Sequence, residues 1–126
     1  MIENILDASA VLAVLQNETG KEKVEAILDE SAISRVNFTE ILTKLVEKGM
    51  FIDEDKETLD ELGLELIEFE EKHSLKAAEL RPLTKHLGLS LGDRCCLALA
   101  FLESLPAVTA DKNWANLTFC KIEVIR

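Results

Sequence analysis

LSLGDRCCLALAF, residues 89–101, is a polar entry carrying one acid, followed by an almost unbroken apolar run. Ser90 followed three residues later by Asp93 has the form of a capping box, so the segment reads as the start of a buried helix, with Gly92 placed where the chain must turn. The run is too short to span a bilayer. On a helical wheel Asp93 falls on the side of Cys96, Leu97, Ala100 and Phe101, at the rim of a helix whose every face looks buried. A carboxylate in that place is costly unless a helix N-terminus, a base or a metal ion stabilises it. Capping alone would account for it, and the other acids of the chain decide between the two.

Working outward, the strands on either side set the fold class. Ile2–Leu6 is a short apolar run that stops at Asp7, and Ala8–Leu15 then reads as a helix with Asp7 where an N-cap belongs. Charged helical sequence continues over Lys21–Glu30, and Ala32-Ile33 is a second strand. Asn37–Lys48 is the clearest amphipathic helix, with Phe38, Ile41, Leu42, Leu45 and Val46 on one face and Asn37 and Glu40 as a capping-box-like pair at its start. A more acidic helix spans Asp53–Leu62, and Leu64–Ile67 fits a strand or a helical extension. Phe69–Leu87 is helical, broken or kinked by Pro82 after Arg81. Beyond the Leu89–Phe101 helix, Ala107–Thr109 makes a strand ending just before Asp111. Asp111–Trp114 forms a turn or short helix, and Lys121–Ile125 has the alternation of a final edge strand. Strands alternating with helices imply an α/β fold with a mostly parallel central sheet.

At 126 residues, with no repeat, linker or low-complexity tract, residues 1–126 are expected to form one domain that buries roughly two thirds of its unfolded surface. Neither end resembles an export signal, which points to the cytoplasm. Three cysteines, two of them adjacent at Cys95 and Cys96, suit neither a disulfide framework nor a zinc site and read as reduced core thiols. A net charge of −10 argues against a tight non-specific binder of nucleic acid. It leaves room for an enzyme that presents a metal ion to a phosphate.

Asp7 and Asp111 each follow a predicted strand, and Glu40 and Asp93 each fall in the first turn of a helix. In an open parallel sheet, strand C-termini and the helix starts after them lie along one edge, where ligands bind. Four carboxylates meeting there repel one another and raise their own pKa values unless a cation is shared. All-oxygen ligands favour Mg²⁺ or Mn²⁺. Each acid also has a plainer use: Asp7 as an N-cap, Asp111 in an Asx-turn, Glu40 as half of a capping box that it must leave from the helix end to reach the site.

The blocks LDASAVLAVL from Leu6, NFTEIL from Asn37, GLSLGDRCCLALA from Gly88 and TADKNW from Thr109 together resemble the PIN domain, and within it the VapC-type toxin ribonucleases of bacterial and archaeal toxin–antitoxin pairs. The resemblance implies a Rossmann-like α/β/α sandwich and an acidic quartet of Asp7, Glu40, Asp93 and Asp111 that binds Mg²⁺ or Mn²⁺. Ser9 and Thr109 match positions that support the quartet by hydrogen bonding. Asn113 stands where many members carry a further acid. The implied activity is endoribonucleolytic hydrolysis of RNA to 5′-phosphate and 3′-hydroxyl ends, by a homodimer restrained by a small antitoxin. Arg35, Lys44, Arg94 and Lys112 are the candidate phosphate contacts. Two rivals stay open: a phospho-acceptor receiver domain, for which Asn4–Ala8 offers only one acid where a pair is wanted, and a catalytically silent PIN-like binding module.

Overall fold

Five short strands, each three or four residues long, alternate with helices that cover both faces of one sheet. The computed structural model describes residues 1–49 and 51–126. The strands are β1 (Asn4–Leu6), β2 (Ser31–Ser34), β3 (Glu65–Ile67), β4 (Ala107–Thr109) and β5 (Ile122–Val124). The helices are α1 (Ala8–Leu15), α2 (Lys21–Glu25), α3 (Arg35–Glu47), α4 (Ile52–Asp60), α5 (Glu71–Glu79), α6 (Arg81–Thr84) and α7 (Leu91–Glu103). The strand order is β3-β2-β1-β4-β5, and every pairing is parallel, so the expected mostly parallel sheet is wholly parallel among the described strands. This α/β sandwich has the Rossmann order. Receiver domains have a different, flavodoxin-like order, 2-1-3-4-5, and the strand order therefore speaks against that rival.

Alternation along each strand divides the core in two. Leu6, Ile33 and Val108 face a layer built on α1, α3 and α4, while Ile5, Ala32 and Ala107 face a layer built on α7, Ala77 of α5 and the fully buried Trp114. Successive side chains of a strand point to opposite faces, so three-residue apolar strands suffice to anchor both layers. The chain passes from β1 through β2 to β3 on one side, then crosses to β4 on the other. The switch point therefore lies between the carboxyl ends of β1 and β4, where Asp7 and Asp111 stand.

Several local expectations are corrected. The amphipathic helix starts at Arg35 and not Asn37, because Ser34 is its N-cap and accepts a hydrogen bond from the Val36 amide at 3.2 Å. The expected Lys21–Glu30 helix ends at Glu25, with a separate 3₁₀ turn over Leu28–Glu30. Pro82 does not end a helix; it occupies the first turn of α6, where a missing N–H is harmless, and the preceding helix has already stopped at Glu79. Nor is α7 buried all round: Leu91 is 61% exposed, and Phe101 is covered only in part by the Lys76 ammonium, 4.4 Å from its ring centroid. No helix among the described residues is long and apolar enough to cross a membrane.

Candidate active site

Asp7 is the buried centre of the site. It takes the extended backbone conformation of an N-cap before α1, yet its side chain caps nothing. Its Oδ2 instead accepts two hydroxyl hydrogen bonds, from Ser9 at 2.7 Å and from Thr109 at 3.0 Å. Those hydroxyls are aimed by the chain leaving β4. The Ala110 amide donates to Ser9 Oγ and the Asp111 amide to Thr109 Oγ1, each at 3.0 Å. A hydroxyl has one proton to give, so with both spent on Asp7 the 3.2 Å approach of Ser9 to Thr109 is packing and not a further bond. Ser9 and Thr109, both singled out by sequence, thus each hydrogen-bond the Asp7 carboxylate.

Burial dominates the electrostatics of Asp7. At 4% exposure its carboxyl is pushed up from the ordinary 3.8 to about 6, chiefly by loss of solvation, with the negative charges of Asp93 and Glu40 adding to the rise. The Ser9 and Thr109 hydroxyls pull the other way. Glu40 is raised too, first by burial and then by Asp93, while Asn37 and Lys44 oppose the rise. Asp7, Glu40 and Asp93 thus lie within electrostatic reach of one another. Asp111 is linked to Asp7 only by its backbone, since the Thr109 hydroxyl that donates to the Asp7 carboxylate accepts from the Asp111 amide, while the Asp111 side chain turns to the Asn113 amide.

Asp93 and Asp111 also serve the plainer uses foreseen for them. Asp93 Oδ2 accepts from the Ser90 amide at 2.8 Å and Ser90 Oγ from the Asp93 amide at 3.2 Å, a complete capping box at the start of α7. Asp111 Oδ1 accepts from the Asn113 amide at 2.9 Å, which closes a 3₁₀ turn over Lys112–Trp114. Asn113 takes part through its backbone.

The largest departure from expectation is at Asn37. As the third residue of α3 it does not cap. Its fully buried amide donates to Glu40 Oε1 at 2.6 Å and to the Gly92 carbonyl at 3.0 Å. Both neighbours are acceptors, which fixes the amide's orientation and leaves Oδ1 buried with no partner among the described residues. An orphaned acceptor of that kind costs about 1–3 kcal/mol. Gly92 is likewise reassigned: it lies inside α7 and not in a turn, and its need for glycine is space, since a Cβ there would overlap the Glu40 carboxylate. In sequence the only trace of this is an Asn three residues before the acid.

Gly92→Ala is accordingly expected to keep or slightly raise stability, because alanine favours a helix by about 0.5–1 kcal/mol over glycine. The Glu40 carboxylate, the free end of a flexible side chain, is expected to be driven off. A thermal melt together with a crystal structure of the variant checks both; an undisplaced Glu40 would contradict the close approach.

The donor set suits a hard divalent cation. Every candidate ligand is a carboxylate oxygen, both hydroxyl bonds to Asp7 fall on Oδ2, and Oδ1 takes no side-chain hydrogen bond among the described residues. No three acids among the described residues close tightly enough to cage an ion directly. Thiol chemistry is a poor fit. Burial pushes Cys95 up to about 11 and Cys96 well above its usual range.

The basic candidates separate into two pairs. The Arg35 guanidinium is held by Glu68 at 2.7 Å, and Arg94 donates to the Ala77 carbonyl at 2.9 Å. Lys44 lies close enough to Glu40 to ease its ionisation, and Lys112 is exposed beside Asp111.

A family model for the PIN domain matches residues 5–119 of the chain. No curated protein matches it by sequence. Among solved structures, a chain of DNA-bound VapBC from Salmonella typhimurium is 15% identical, with 100% of both chains covered and a TM-score of 0.77. VapBC2 from Rickettsia felis, bound to a DNA fragment from its promoter, is 21% identical over 98% of each chain with a TM-score of 0.75. VapBC-5 from Mycobacterium tuberculosis, a member of the VapBC family of toxin–antitoxin systems, is 21% identical over 97% of this chain and 98% of that one, with a TM-score of 0.66. At such identities the likeness is one of fold.

Proposed function

The chain belongs to the PIN domain family, and from that premise we propose that it is a metal-dependent endoribonuclease, the toxin of a toxin–antitoxin pair. Asp7, Glu40, Asp93 and Asp111 are its working acids. The observation that carries the reading is the conflict at Asp7: two hydroxyls are aimed at its charged form while burial, Asp93 and Glu40 oppose that charge. A divalent cation removes the conflict.

Asp7, Asp93 and Asp111 would hold Mg²⁺ or Mn²⁺, directly or through water. When bound there, such an ion would supply a nucleophilic water at neutral pH and offset charge on the phosphoryl oxygens. Ser9 and Thr109 keep Asp7 oriented and favour its ionised form. Glu40, half-buried and with its carboxyl pKa raised chiefly by burial, would ligate the ion or orient the attacking water. Of the four basic candidates, Lys44 and Lys112 are the two that no hydrogen bond or ion pair among the described residues ties up, and they are the ones that would meet the phosphates of the strand. No side-chain nucleophile is required. Cleavage leaves 5′-phosphate and 3′-hydroxyl ends.

The chain works as a homodimer in the cytoplasm, where its substrate lies, and is restrained by a small antitoxin. VapBC-5, of like fold, is a member of a toxin–antitoxin family. An acidic pocket on a chain of net charge −10 suits a basic segment of such a partner. Retention of all four acids favours the active enzyme over a silent binding module.

The test is chemical. The purified protein, incubated with single-stranded RNA, is expected to cut it with Mg²⁺ or Mn²⁺, to stop in excess EDTA, and to resume when Mn²⁺ is restored. End-labelling of the fragments reads the 5′-phosphate. Cutting that ignores the chelator, or none under any of these conditions, would end the reading.

A further inference from the structure

Glu40 is the one acid of the four that reaches the site from the middle of a helix face, and something must hold it there. The amide of Asn37 spans the two elements concerned. One N–H goes to Glu40 Oε1 at 2.6 Å within α3, the other to the Gly92 carbonyl at 3.0 Å in the first turn of α7, one residue before Asp93. Gly92 supplies the floor, because only a missing Cβ lets the Glu40 carboxylate rest against α7. An amide with no exposed surface, whose acceptor oxygen has no partner among the described residues, is an expensive thing to keep in a core, and packing alone would be better served by an apolar side chain.

Resting on the nuclease reading above, we propose that Asn37 is a positioning residue: its carboxamide clamps Glu40 to the first turn of α7 and so fixes the distance between Glu40 and Asp93. Ser9 from α1 and Thr109 from β4 hold Asp7, and Asn37 does the same for Glu40 from α3. Side chains that orient a metal site's acids from behind change metal affinity or activity by about 10–100-fold when removed. In this proposal Asn37 acts by holding Glu40 against Gly92, so its effect is expected to depend on the Glu40 carboxylate.

That last property makes the test. Asn37→Asp keeps the shape but replaces the amide donor with an acceptor that faces two others. RNA cleavage with Mn²⁺ is compared for the wild type, Asn37→Asp, Glu40→Ala and the double variant, with Mn²⁺ binding by electron paramagnetic resonance and a thermal melt on each. Asn37→Asp is expected to lose roughly 10–100-fold in kcat with little change in KM, and to lose less than about threefold when Glu40 is already alanine. Equal loss in both backgrounds means Asn37 only supports the fold and overturns the proposal. Should the wild type bind Mn²⁺ but cut no RNA, the nuclease reading falls, and the same background comparison on Mn²⁺ affinity still decides for or against the clamp. Should the wild type bind no Mn²⁺, both fall. If Asn37→Asp does not fold, Asn37→Ser, shorter and uncharged, is carried through the same four-way comparison.

Discussion

Asp7→Asn is expected to lower RNA cleavage by about three orders of magnitude, the several kcal/mol that a metal ligand supplies to the transition state, and at the same time to make the metal-free protein more stable. The two effects share one cause. Asp7 is 4% exposed and its carboxyl is raised from 3.8 to about 6, mainly by burial and then by Asp93 and Glu40. A carboxyl whose pKa is higher in the folded than in the unfolded chain binds its proton more readily when folded. Its contribution to stability is therefore whole below about pH 4, declines between pH 4 and 6, and is gone above that window. At pH 7.5 the buried charge costs on the order of 2–3 kcal/mol. Asparagine has no such charge, and its side-chain oxygen still accepts the hydroxyls of Ser9 and Thr109. Melts in EDTA should then show the variant rising above the wild type across that window and levelling off roughly 6–12 °C higher. Added Mn²⁺ should raise the wild type and leave the variant where it was. A variant less stable than the wild type at pH 7.5 would mean that Asp7 is not held against its charge.

Where local chemistry determines structure, the sequence was a sufficient guide. Helix α1 spans Ala8–Leu15 and β4 spans Ala107–Thr109, as expected, because Asp7 and the Thr109-Ala110-Asp111 exit mark their ends. The capping box of Ser90 and Asp93 is likewise a matter of three neighbouring residues. Asn37 shows where such reasoning stops. Asn37 and Glu40 have the spacing of a capping box, but Ser34 takes the cap, and the Asn37 amide finds its second acceptor 55 residues away at Gly92. No pattern within α3 encodes that partner. The same holds for Gly92, whose glycine is required by a side chain from another helix. Strand order was out of reach for a similar reason: strands of three or four residues specify two faces by alternation, but their neighbours follow from how the crossovers pack.

For Asp93 the observed capping duty and the proposed chemical one can be separated. Its Oδ2 accepts from the Ser90 amide, and its own amide donates to Ser90 Oγ. Asp93→Asn keeps an oxygen in that place, so the capping box survives. What is lost is a charge at a helix N-terminus, worth about 0.3–1 kcal/mol, offset by relief of the repulsion that Asp93 exerts on Asp7 and Glu40. The melting temperature should therefore barely move. Asp93→Ala removes the acceptor as well and should cost about 1 kcal/mol more. Cleavage should respond in the opposite pattern, falling by two to three orders of magnitude in both variants, since neither can hold an ion through a carboxylate. Rates and melts measured side by side across a Mg²⁺ and Mn²⁺ titration distinguish the duties. If Asp93→Asn cut RNA within tenfold of the wild type while Asp93→Ala lost stability, Asp93 would be a cap and nothing more, and the acids would number three.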